Sequence, residues 1–201
     1  MTKAFPHLLG ALRKDRRGAT IIEFAIVLPV LLMILMFLFD TSYYLYARAV
    51  LSGEIQAAGR SSTLETASEE AQTDLDEHVE AAVQRVVPHG VLHFSRKAYG
   101  SYARAQAKAE PFIDANNNGV CDNGEVYEDS NNNNVYDADG GKDGQGNARD
   151  VTIYSVTLEY NRIFPMARLL GWSDTVSISS STILRNQPYD KQSAPPERNC
   201  P

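Results

Sequence analysis

The sequence predicts an α+β protein: a long N-terminal transmembrane helix, then a small exported domain with one helix on a short, mostly antiparallel sheet. Three observations predict it. Residues 19 to 39 are an almost uninterrupted apolar run. A capping-box pattern, Thr66-Ala-Ser-Glu69, introduces apolar residues at helical spacing. Beyond residue 90, apolar and polar residues alternate with the period of two that marks half-buried strands.

The N-terminal element comes first. Residues 1 to 18 carry Lys3, Arg13, Lys14, Arg16 and Arg17 against Asp15. From Ala19 to Phe39 a helix is about 31 Å long at 1.5 Å per residue, which matches a hydrocarbon core of roughly 30 Å. The preceding Lys and Arg hold that end in the cytoplasm, and Tyr43, Tyr44 and Tyr46 suit the far interface. A secretory signal peptide fits poorly, because the run is long and Asp40 with a tyrosine cluster closes it instead of a small-x-small cleavage site. Two residues in the span are costly. Pro29 frees the carbonyl of Ala25. Glu23 lies one turn inside, where an unpaired carboxylate either snorkels to the headgroups or needs a partner.

Residues 40 to 60 continue as a helix, with Ala47, Leu51, Ile55 and Ala58 on one face. A second helix is predicted over 67 to 87 from Ala71, Leu75, Val79, Ala82, Val83 and Val86, ended by Pro88-His-Gly90. Ala103, Ala105 and Ala107 alternate with polar residues and read as strand. Tyr154, Val156, Leu158 and Tyr160 share one strand face, and 176 to 185 is a Ser/Thr-rich strand. Between these strands, Pro165 to Gly171 suggests a short helix, with Pro near its start and Gly just past its end. The organisation is thus a basic leader (1–18), a transmembrane helix with its extension (19–60), an α+β domain (61–109 and 151–189), an acidic insertion (110–150) and a Pro-rich, flexible tail (190–201).

The acidity of the chain belongs to that insertion. Its residues 114 to 150 hold nine Asp or Glu against Lys142 and Arg149, a net −7, while the whole chain is −6. No basic patch outside the leader suggests nucleic-acid binding. Residues Asp114, Asn116, Asn118, Gly119, Val120, Asp122 and Glu125 match the calcium-loop pattern D-x-[DN]-x-[DN]-G-x5-E. Side-chain oxygens stand at positions one, three, five and nine, a backbone carbonyl at seven and an acid able to bind with both oxygens at twelve. A repeat of period 15, aligning Glu110 with Glu125, brings a second copy: Asp129, Asn131, Asn133, Val135 and Asp137. In that copy Asn134 replaces the glycine, and Gly140 falls where the twelfth-position acid belongs, so Asp139 or Asp143 is expected to substitute. Pro111 and the lack of a helical pattern after the first loop exclude a helix–loop–helix unit; tandem calcium loops of the extracellular kind are expected, the alternative being an acidic linker without an ion.

Cys121 and Cys200 lie on the exported side, where disulfides persist; an internal bond, free thiols or an intermolecular bond all remain open. His89 and His93 flank a helix end and a strand start, where a spacing of four does not converge on a metal. Ser179, Ser180 and Ser181 lack a nucleophile-elbow context, and no catalytic constellation is present, so no enzyme is expected.

The leader, Gly18, Ala19, Glu23, Phe24 and the apolar helix with Pro29 together resemble the type IV prepilin processing site, in the variant of Flp pilins and TadE/TadF pseudopilins; the run Thr182 to Tyr189 also looks like the end of TadE-like proteins. The resemblance implies cleavage between Gly18 and Ala19 by a membrane-embedded prepilin peptidase. Glu23 then becomes the fifth mature residue, able to pair with the new α-ammonium of a neighbouring subunit in a low-dielectric setting. It implies a structural minor pseudopilin of a tight-adherence (Flp) pilus at the inner membrane, with other pilin-like subunits and a secretion platform as partners. The alternative is a membrane-anchored, calcium-dependent adhesion or binding module outside any pilus machine.

Overall fold

The computed structural model describes residues 17–62, 69–164, 166–169, 171–187 and 194–201. The leader up to Arg16, the capping pattern at residues 66–68, and Pro165 lie outside the described residues. Two compact units share the chain: one holds the helix up to Tyr44 and residues Arg162–Asp174, the other Leu45–Asn161 and Thr175–Pro201.

The first helix, α1, runs unbroken over Arg17–Ser62, through Pro29 and Asp40. Its residues from Thr20 onward are long and apolar enough to cross a membrane, and among the described residues nothing buries the most apolar stretch. Ile22, Ile26 and Phe39 are all more than half exposed. Such a surface on a helix with no protein cover is what lipid solvates.

In the first unit, residues 162–174 leave the sheet and form a short helix, α4 (Met166–Leu169), closed by Gly171 at φ 73° as the sequence leads one to expect. Arg162 pairs with Asp40, and the rings of Phe39 and Phe164 lie 6.5 Å apart.

The second unit is built on a four-stranded antiparallel sheet of order β3-β1-β4-β5, with β1 Val91–Tyr99, β3 Lys142–Asp143, β4 Val151–Asn161 and β5 Thr175–Arg185. β4 is central, with Val156 opposite Phe94 on one side and Ser180 on the other. Tyr154, Val156, Leu158 and Tyr160 of β4 are all buried, on the face predicted. Two helices serve that face. The C-terminal half of α1 buries Ala47, Leu51, Ile55 and Ala58. It lies so close to β5 that a side chain on Gly59 would meet Leu184 at 2.9 Å, and Ser52 hydrogen-bonds Ser180 at 3.1 Å. The other helix, α2 (Glu69–Gln84), buries Val79, Ala82 and Val83. Asp76 on α2 takes both guanidinium nitrogens of Arg96, at 2.7 and 2.6 Å, and the Tyr154 hydroxyl at 2.7 Å. Arg96 also stacks 4.3 Å above the Tyr154 ring. The α+β class is therefore as expected, with α1 providing a second covering helix. The opposite face carries exposed Ser and Thr, including Ser179 and Ser181.

Two expectations need correction. Residues 103–107 are not strand: Tyr102–Ala107 is a helical turn, α3, whose N-cap Ser101 accepts a bond from the Arg104 amide. Alanine, arginine and glutamine are strong helix formers, and a cap outweighs three chance alternations. The end of the tail is not loose either. Glu197–Asn199 forms β6, which pairs antiparallel with β2 (Val126–Glu128) inside the insertion.

Candidate functional site

The processing residues sit on the first turns of α1. Gly18 and Ala19 are helical, and Glu23 and Phe24 are exposed on the apolar helix. Among the described residues no side chain partners the Glu23 carboxylate.

The insertion is ordered by its own side chains. In the first loop the Asp114 carboxylate accepts the amides of Asn118 (3.1 Å) and Gly119 (2.8 Å). The side-chain oxygens of Asn116 and Asn118 accept the amides of Asn118 and Val120, at 3.0 and 2.8 Å. Asp122 Oδ2 accepts both asparagine side-chain amides, at 3.0 and 2.6 Å. The second loop repeats each of these contacts with Asp129, Asn131, Asn133, Val135 and Asp137. Gly119 and Asn134 both take left-handed backbone, at φ 76° and 69°, so asparagine does fill the glycine position.

The two loops take their closing carboxylate from different places in the chain. Glu125 accepts the amides of Ala115 (2.8 Å) and Asp122 (3.0 Å), closing the first loop from its twelfth position. In the second loop the equivalent amides, those of Ser130 and Asp137, are bound by Glu110, at 2.7 and 3.1 Å. Glu110 precedes both loops. Asp139, expected there, instead binds Lys97 (3.0 Å) and the Tyr99 hydroxyl (2.8 Å), and Asp143 lies exposed on β3. Gly140 shows why: a side chain there would come within 2.3 Å of Glu110 Cγ, so the missing acid leaves the space that Glu110 fills. The period-15 alignment of Glu110 with Glu125 contained this signal; a search confined to the local twelve-residue pattern passes over it.

The two repeats meet across a local two-fold arrangement. Phe112 bridges Tyr127, and the flanking bonds Ile113 N to Val126 O and Glu128 N to Pro111 O, 2.8 and 2.9 Å, are symmetric about it. Tyr136 packs edge-on against Phe112 and Tyr127, centroids 5.5 and 5.7 Å apart. This aromatic centre is the apolar burial that an Asn/Gly-rich linker lacks.

The surroundings of the carboxylates differ. Glu110 is 2% exposed, and burial pushes its pKa up against the amides that favour its charge. Asp129 is fully buried, and burial works to raise its pKa, yet Arg198 and the amides of Asn134 and Asn133 hold it below the usual aspartate value. For Asp139, too, burial is outweighed, here by Lys97 and Tyr99, and its pKa is lowered. Asp122 is lowered by its two asparagine donors. Arg198 reaches Asp129 from β6, at 2.5 Å, and Cys200 beside it is bonded to Cys121 of the first loop, with Cα atoms 5.4 Å apart. The tail thus ties the two loops together.

Among the described residues no three His, Cys, Asp or Glu side chains gather into a metal cluster. An ion held here would draw on asparagine and backbone oxygens as well. The donor set of the first loop is all oxygen, which suits a hard cation such as calcium and not a nitrogen- or sulfur-seeking metal. His89 lies in the turn after α2 and His93 on the exposed side of β1.

No curated protein and no solved structure matches the chain. One family model does: residues 18–60, which hold Gly18, Glu23 and Phe24, the apolar span and its helical continuation, match the model described as TadE-like protein, and it is to that family that this part of the chain is similar.

Proposed function

We propose that the chain is a minor pseudopilin, a structural subunit that takes part in assembling a tight-adherence (Flp) pilus at the inner membrane. The observation that carries this is the TadE-like match over residues 18–60, coincident with one helix long and apolar enough to cross a membrane. A prepilin peptidase cuts after Gly18 on the cytoplasmic side, and Glu23 pairs with the Ala19 ammonium of an adjoining pilin-like subunit. The remainder of the chain stands on the far side, periplasmic or extracellular, and the secretion platform receives the anchored subunit. N-terminal sequencing of protein extracted from membranes tests this. A mature chain starting at Ala19 is expected; one starting at Met1, or cut beyond Phe39, rejects it.

We also propose that the insertion binds calcium. The supporting observation is that both loops present the same oxygen-rich turn, each closed by a glutamate, Glu125 or Glu110. A divalent cation would offset the repulsion among the clustered carboxylates. Extracellular calcium modules bind at about 10⁻⁴ to 10⁻³ M. Calorimetric titration of the full chain in detergent should therefore show heat at millimolar calcium, lost most in Glu125→Gln. No heat, with proteolysis of residues 110–143 unchanged by calcium, leaves an acidic structural insertion.

A further inference from the structure

The connection between β4 and β5 is much longer than a hairpin requires. Asn161 still pairs with Thr175, and the thirteen residues between them, Arg162 to Asp174, make the excursion. Their sequence is rich in large apolar residues: Ile163, Phe164, Met166, Leu169, Leu170 and Trp172. An exported loop facing water has no reason for this composition. Of those whose exposure is described, Ile163 is 57% and Trp172 58% exposed.

The segment is fastened at one level of α1. Arg162 pairs with Asp40, and Phe164 packs its ring against Phe39. Asp40 is the first charged residue after Glu23, so it marks where the apolar run stops and water begins. Phe39, itself 62% exposed, adjoins Phe164, and the apolar surface of the span continues onto the excursion. The charges are matched internally. Arg168 binds Asp174 through Nε at 3.0 Å, as Arg162 binds Asp40, so the segment's one excess positive charge is offset by Asp40 of α1. Amphipathic indole and aromatic rings at the edge of an apolar span favour the headgroup boundary.

We propose that residues 162–174 are an interfacial anchor, seated in the bilayer at the C-terminal end of the span, with lipid covering Ile163 and Trp172. This rests on the reading of α1 as a membrane span. The contact does not require anionic lipid, because the segment and its partner Asp40 are together neutral.

Trp172 is the single tryptophan of the chain, so its fluorescence reports on this segment alone. The full chain is reconstituted in phosphatidylcholine vesicles and compared with vesicles whose acyl chains are brominated near the headgroup or near the methyl end. Strong quenching by the shallow bromines, weaker quenching by the deep ones and protection from aqueous acrylamide are expected, unchanged by salt. Phe164→Ser should reduce the shallow quenching. Free acrylamide quenching with no effect of bromine overturns the proposal. Protection from both quenchers also overturns it, and indicates that a second copy of the chain covers the segment. Carbonate extraction of the same vesicles separates the two readings: a chain that is extracted refutes the span and the anchor together, whereas a retained chain with a water-exposed Trp172 refutes the anchor alone.

Discussion

Glu110 shows how much one side chain governs in the insertion. Its two carboxylate oxygens hold amides of Ser130 and Asp137 that otherwise lack partners in a buried place. Gln at this position keeps the shape but turns one acceptor into a donor facing an N–H. A buried donor left without its acceptor costs about 1–3 kcal/mol, so Glu110→Gln should speed hydrogen exchange over residues 129–137 while Asp139→Asn does not. Gly140→Ala should act on the same loop from the other side, since its methyl group would displace Glu110; overpacking of this kind costs about 1–3 kcal/mol. Thermal unfolding of the two variants checks both. The pH response has a defined sign. Glu110 has a raised pKa, so its protonated form is favoured by folding, and that contribution is lost as pH rises through the folded value, above about 4.3. Asp129 and Asp139 have lowered values, so their contributions stand above about 3.9 and vanish as pH falls through the folded values below it. On acidification Glu110 should therefore protonate first and the two aspartates last, which carboxyl carbon NMR shifts will resolve; the reverse order would show that the burial of Glu110 is not the dominant influence.

Among the elements, β6 has the most surprising role for its length. Three residues pair with β2, Arg198 neutralises the buried Asp129, and Cys200 closes a covalent loop of 79 residues' separation onto Cys121. A loop of that size makes a disulfide worth on the order of 2–4 kcal/mol, chiefly by restricting the unfolded chain. The double change Cys121→Ser, Cys200→Ser should lower the thermal midpoint and expose the amides of 126–128 and 197–199 to exchange first, because a three-residue ladder, its flanking hydrogen bonds and one ion pair then hold the strand without a covalent tie. Equal loss of protection across β1, β4 and β5 would mean that the bond supports the whole sheet and not this strap. The α3 turn illustrates the same scale in the opposite direction: a single cap, Ser101, decides helix over strand for six residues whose side-chain alternation points the other way.

For the whole molecule, the arrangement of the chain separates two tasks. The N-terminal segment carries the match to TadE-like proteins, and the two repeats are inserted between β1 and β4 without breaking the pairing of those strands. Insertions in a surface connection cost little in loop-closure entropy, and here the insertion supplies its own core in Phe112, Tyr127 and Tyr136. Under the proposed pseudopilin role, Glu23→Gln is expected to insert and be cleaved after Gly18 but to co-purify poorly with partner pilins, because it keeps size and hydrogen bonding while losing the charge proposed to pair with the new ammonium. Undiminished co-purification would count against that pairing.

What the sequence determined by itself was local or periodic. Span length, the helical stripe of Ala47, Leu51 and Ile55, the buried face of β4 and the repeat of the Asx loops all follow from spacing along the chain, which physical period and ligand geometry restrict tightly. The tertiary structure decided what depends on residues far apart. It bonded Cys121 to Cys200 within the chain, where free thiols or an intermolecular bond were equally open, and it took the closing carboxylate of the second loop from Glu110 instead of Asp139. It also fastened Arg162 to Asp40 across more than a hundred residues. Each of these joins groups whose meeting depends on how strands and loops fold back on one another; the 15-residue repeat hinted at the role of Glu110, but spacing along the chain carries no signal for the other two.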